Sequence, residues 1–160
     1  MQKFLIIVLV ILTTNTASAQ SNKISGLPIR LGDSIEKVKA EIGTDIEPEE
    51  VQETTSRFAT STQKEKKQQL RLKTKGIWVF FDKSGRVYTI RLEAPFAGNV
   101  DGVEIGKSRA FLVEKMGKPV KILKQPFAFN EPYIYYTDDI TTVRFAFDND
   151  DVIDVIYIEK

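Results

Sequence analysis

The chain of 160 residues contains no cysteine and no histidine. The first absence excludes disulfide scaffolds and thiol nucleophiles. The two together exclude Cys/His zinc sites and every catalytic arrangement whose base is an imidazole. An excess of charge of one sign is missing as well, with Lys+Arg 23 against Asp+Glu 22. A nucleic-acid binder draws much of its affinity from neutralising phosphates and carries a basic surplus, so that class is disfavoured. The apolar run from Phe4 to Leu12 is about half of the ~20 residues that a membrane-spanning helix needs.

That short run has another use. Lys3 precedes it, and polar residues followed by Ala17-Ser18-Ala19 come after it, which is the pattern of a secretory signal peptide over residues 1–19. No cysteine follows the cleavage point to carry a lipid. The expected mature protein is therefore periplasmic or secreted, without a membrane anchor. It spans residues 20–160, and the loss of Lys3 leaves 22 basic and 22 acidic groups. A chain of this size buries close to 70% of its unfolded surface and needs no cross-links.

The sequence repeats itself. Leu31-Gly32-Asp33-Ser34 through Ile42-Gly43 lies over Ile105-Gly106-Lys107-Ser108 through Met116-Gly117 at one offset of 74 residues, from Gly32 to Gly106. Each segment predicts a short helix. Ser34 and Ser108 are N-cap candidates, with Asp33 competing through a capping box to Glu36, and Gly43 and Gly117 can close the helices. Ile35, Val38 and Ile42 share one helical face, as do Leu112 and Met116.

A three-stranded meander is expected after each helix. Ile77–Asp82, a turn at Lys83-Ser84-Gly85 and Arg86–Leu92 form a strong hairpin signal. Val143–Asp148, Asn149-Asp150-Asp151 and Val152–Ile158 repeat it at an offset of 66 residues, from Phe81 to Phe147. Gln69–Lys73 and Tyr133–Tyr136 supply a preceding strand in each unit. Residues 44–68, where Pro48 could open a short helix, read as a polar connector, and 121–132 as a long loop. The fold class expected is α+β: two tandem helix-plus-meander repeats, 26–93 and 100–160, building one sheet with helices on one face, in one domain.

Strand alternation separates the faces. Val143, Phe145 and Phe147 should lie under the helices, and by the offset so should Ile77, Val79 and Phe81. Tyr88, Ile90 and Leu92 are assigned to the same side. Trp78 and Phe80 then point outward beside Val87, Thr89 and Arg91. Arg144 and Ala146, with Ile153, Val155 and Tyr157, occupy the outer side of the second unit. Aromatics and arginine dominate protein-binding hot spots, so this face is a candidate interaction surface. The alternative is that the loops 44–68 and 121–132, the second carrying Phe127 and Phe129, fold over it as a further core layer.

The pattern Leu31-Gly32-x-Ser34-x-x-x-Val38-x-x-x-Ile42-Gly43 with Ile105-Gly106-x-Ser108-x-x-x-Leu112-x-x-x-Met116-Gly117-x-Pro119, each followed by a meander, resembles the tandem-repeat β-lactamase inhibitory protein-like (BLIP-like) superfamily. It is also similar to the single-repeat SmpA/OmlA outer-membrane assembly lipoproteins. The resemblance implies a saddle-shaped sheet whose aromatic face grips another protein, with Trp78, Phe80, Arg91, Arg144 and Tyr157 in contact; Phe127 and Phe129, read from the loop itself, are candidates either for the cover of that face or for the site. It implies no cofactor and no catalysis, but an inhibitor or immunity-type protein acting on an envelope enzyme or toxin. An envelope-assembly scaffold is the alternative.

Catalytic patterns in the chain have structural counterparts. Ser34-x-x-Lys37 and Lys73-Thr74-Lys75-Gly76 match fragments of penicillin-recognising motifs, yet Ser34 has a capping role duplicated at Ser108, where Phe111 replaces the lysine. Asp148, Asp150 and Asp151, like Asp138-Asp139, sit in turns, where carboxylates bond their own backbone, and no calcium-loop glycine or glutamate accompanies them. A hydrolase therefore remains only a third reading.

Overall fold

The computed structural model describes residues 24–52, 66–124, 131–136 and 141–160. Residues 1–19, Phe127, Phe129 and Asp138-Asp139 lie outside the described residues. Along the chain come β1 (Ile24–Ser25), α1 (Ile35–Ile42), β2 (Glu49–Gln52), β3 (Lys66–Leu72), β4 (Ile77–Phe81), β5 (Val87–Glu93), β6 (Asn99–Val100) and β7 (Val103–Glu104). Then follow α2 (Arg109–Met116), β8 (Lys121–Ile122), β9 (Tyr133–Tyr136), β10 (Thr142–Phe147) and β11 (Ile153–Glu159). The two helices, the large antiparallel sheet and a smaller one make an α+β fold.

Both helices begin and end where their punctuation predicts. Ser34 has an extended backbone and its Oγ accepts from the Lys37 N–H at 3.3 Å; Ser108 does the same for Phe111 at 3.2 Å. Gly43, at φ 67°, closes α1 by returning its N–H to the Lys39 carbonyl. Asp33 does not compete as a cap. Its carboxylate accepts from the Arg30 N–H and pairs with Lys37 Nζ, each at 2.8 Å. Val38, Ile42 and Leu112 are buried on the sheet.

Eight strands form one antiparallel sheet in the order β2-β3-β4-β5-β11-β10-β9-β8. The two units meet at β5 and β11, where Arg91 pairs with Tyr157, its own equivalent at the 66-residue offset. The seam therefore has pseudo-two-fold symmetry. The core lies on one face, from Leu70, Leu72, Ile77, Val79 and Phe81 through Ile90 and Leu92 to Ile156, Ile158, Val143, Phe145 and Phe147. The small sheet, order β1-β6-β7, adds Val100 and Val103 to that same core.

Three expectations are corrected. The connector 44–68 contains no second helix among its described residues; Glu49–Gln52 is an edge strand paired with Lys66–Gln69. Its polarity misleads because, among the described residues, no helix packs on one face of this sheet, so Lys67, Gln69 and Arg71 can alternate with the buried Leu70 and Leu72. Likewise Lys121–Ile122, read as loop, pairs with Tyr133 and Ile134 as the opposite edge strand. Third, a bulge interrupts each hairpin at equivalent positions, between Phe80 and Phe81 and between Ala146 and Phe147. The inserted residues are Tyr88 and Asp154. Beyond them alternation is reversed, so Val87 and Ile153 are buried in the helix-side core rather than facing outward. Tyr88 instead meets Phe80 edge-on at 6.4 Å.

A duplicated clasp fastens each helix to its hairpin. Gly32 N–H donates to the Val87 carbonyl at 2.8 Å and Val87 N–H to the Asp33 carbonyl at 2.9 Å; Gly106, Ile153 and Lys107 repeat the exchange at 2.8 Å each. The two glycines hold φ of +87° and +86°, a conformation in which a Cβ is strained although the space around it is empty. Gly32→Ala and Gly106→Ala are each expected to destabilise the fold by about 1–2 kcal/mol, read as a lower urea midpoint with an unchanged slope.

The first hairpin turn is held by Asp82, whose carboxylate accepts from Ser84 Oγ at 2.6 Å and from the N–H groups of Ser84 and Arg86 at 2.8 and 3.0 Å. The Ser84 hydroxyl chiefly, helped by these backbone donors and opposed by partial burial, holds the carboxyl below its ordinary value. A depressed folded value means that the stabilisation is complete above the unfolded pKa of about 3.9 and is lost as pH falls through the folded one. The stability gap between the native protein and Asp82→Asn is expected to close as pH is lowered from about 5 to 2, in urea melts across that range.

Candidate interaction face

The sheet face opposite the helices is organised by cross-strand register. Arg71 pairs with Trp78, Trp78 with Arg91, Arg91 with Tyr157, and Tyr157 with Arg144. Five adjacent strands thus present cation, ring, cation, ring, cation in a single row. The guanidiniums lie on the rings: Arg71 is 3.8 Å and Arg91 4.5 Å from the Trp78 centroid, and Arg91 is 5.8 Å and Arg144 3.8 Å from that of Tyr157. The indole is held between two guanidiniums. Such contacts contribute about 0.5–1 kcal/mol each at an exposed site.

Symmetry explains the alternation. At the 66-residue offset Trp78 corresponds to Arg144 and Arg91 to Tyr157, so each unit carries a cation where the other carries a ring. The pseudo-two-fold through the Arg91–Tyr157 pair then interleaves them. A second row runs beside the first, with Gln69, Phe80, Thr89, Glu159, Thr142 and Tyr136 in register. Tyr136 is 59% exposed.

All five described candidates, Trp78, Phe80, Arg91, Arg144 and Tyr157, stand on this one face, as the alternation predicts. All are half-buried. Among the described residues both helices and the small sheet pack on the other face, and the side chains of this face lie against one another. Arg91 is fixed by Glu93 at 2.6 Å and Arg144 by Glu159 at 2.8 Å, with the two arginine side chains 27% and 20% exposed. Arg71 has no carboxylate partner among the described residues. Three buried donors in the row, Arg71 Nε, Trp78 Nε1 and Arg91 Nε, meet no acceptor there.

Arg71 is the member of the row that sequence reasoning missed. Its signal was available: the tight turn Lys73–Gly76 places it directly across from Trp78.

The groups behind the catalytic and metal readings have other partners. Ser34 Oγ caps α1, Lys37 Nζ pairs with Asp33, and Lys75 Nζ donates to the Ile42 carbonyl at the end of α1 at 2.7 Å. Asp148 accepts from the N–H groups of Asp150 and Val152, and Asp151 binds Arg109 at 2.7 Å. Among the described residues no three acidic groups are placed to hold a metal ion.

No family model matches the chain, and no curated protein matches it. Two solved structures share the fold. One is a DUF4309 family protein (YjgB) from Bacillus subtilis subsp. subtilis str. 168, 16% identical, with a TM-score of 0.50 over 88% of each chain. The other is an extracellular protein containing a SCP domain from Bacillus anthracis str. Ames, 12% identical, with a TM-score of 0.55; it is matched over 96% of this chain and 50% of its own. The second fold match therefore occupies half of a longer protein. At these identities the likeness is one of fold.

A double-mutant cycle tests the ladder. Arg71→Ala and Trp78→Ala are expected to couple by about 0.5–1 kcal/mol in urea denaturation, whereas Arg71→Ala with Phe81→Ala, across the sheet, should be additive.

Proposed function

We propose that the chain is an exported, non-catalytic protein-binding module of the inhibitor or immunity type, acting on an envelope enzyme or toxin through the outer face of its large sheet. One observation carries the reading: the five-strand row of stacked arginine and aromatic side chains, on a face over which no described element packs. Arg, Trp and Tyr are the residue types that concentrate binding energy: Trp and Tyr bury large area for few rotatable bonds lost, Arg offers a planar fork of donors, and all three carry hydrogen-bond donors at their tips. Cross-strand stacking fixes these rings before any partner arrives, which lowers the ordering cost of association. Export is supported by the leader-like residues 1–19 and by the fold shared with an extracellular protein. No helix among the described residues is long and apolar enough to cross a membrane.

The test is capture with cross-linking from envelope and culture fluid, identified by mass spectrometry. Trp78→Ala with Tyr157→Ala is expected to abolish recovery of the partner while the protein stays folded, and Arg86→Ala, on the hairpin turn, is expected to leave recovery intact. Turnover of a substrate that survives loss of both rings would overturn the proposal.

A further inference from the structure

Resting on that binding reading, we infer that the partner presents carboxylates to the row, as an acidic protein segment laid across β3, β4 and β5. Along the row three guanidiniums meet two carboxylates, Glu93 and Glu159, and each is already committed to the arginine beside it. Arg71, on β3, is the guanidinium left over: it is stacked on Trp78 with no acidic partner among the described residues. A planar guanidinium held on a ring keeps its outer edge aimed in one direction, which suits bidentate capture of a carboxylate. The neighbouring Phe80 and Tyr88 rings, 6.4 Å apart, supply apolar contact for the residues flanking that carboxylate.

A uniform polyanion fits less well. Glu93 and Glu159 flank the row, each beside one of its arginines, and Glu49 lies at the end of the second row. These carboxylates would repel an evenly charged polymer while leaving room for one or two acidic side chains placed among apolar ones.

Random peptides displayed on phage, selected on the native protein, supply the probe. The expected winners combine Asp or Glu with apolar residues. Their synthetic forms should bind at least about tenfold more weakly when the acids are changed to amides, when Arg71→Gln replaces the native protein, or when salt rises from about 0.05 to 0.5 M. Thermal melts of Arg71→Gln and of Arg71→Lys, which keeps the charge but loses the planar stack, verify that the variants are folded. Winners without acids, whose binding is lost with Trp78→Ala but not with Arg71→Gln, would overturn this inference and leave the binding face intact. Winners indifferent to Trp78→Ala, or none at all, would overturn both. Equal, Arg71-dependent binding of polygalacturonate or a DNA oligonucleotide would replace the acidic protein by a polyanion.

Discussion

The register between β5 and β11 is the constraint on which the outer face depends. With Arg91 set opposite Tyr157, the row Arg71, Trp78, Arg91, Tyr157, Arg144 comes into line across five strands. A slip of one residue would turn β11 over, sending Ile156 and Ile158 to the outer face and Tyr157 into the core. The buried side opposes that slip, because Ile90, Leu92, Ile156 and Ile158 are almost wholly enclosed. Hydrophobic burial on one side of the sheet thus holds the alignment of charge and ring on the other.

Much of this was legible in the sequence because duplication supplies an internal check. The helices around Val38 and Leu112, with serine caps and glycine ends, could be placed to the residue, since both copies had to satisfy one pattern. The assignment of Trp78, Phe80, Arg91, Arg144 and Tyr157 to one face also followed from alternation. Alternation failed at Val87 and Ile153, since a bulge is a local backbone event that leaves no mark in a pattern of period two. It failed again at the sheet edges. Glu49–Gln52 and Lys121–Ile122 are polar or short, as edge strands tend to be, and edge strands read as loop when judged by hydrophobicity.

The copies have kept their fastenings and changed their surfaces. The exchange of hydrogen bonds around Gly32 and Val87 recurs around Gly106 and Ile153 with nearly the same lengths. Where α1 begins with Ile35, however, α2 begins with Arg109, which binds Asp151 and lies over Tyr133 and Phe147 at 4.7 and 4.1 Å. Backbone geometry tolerates little variation at a positive-φ glycine, whereas a side chain at the rim of a helix can be traded for another that covers the same core.

The seam has a further meaning for how such a molecule can be built. Two separate copies of one unit, joined edge to edge by the same axis, would form an isologous dimer in which the residue on the axis confronts itself. Arginine against arginine repels, and tyrosine against tyrosine leaves no positive charge. Units tied in one polypeptide are free of this self-matching rule, so covalent tandem linkage permits unlike neighbours at the centre of the sheet and, with them, a difference between the two ends of the molecule.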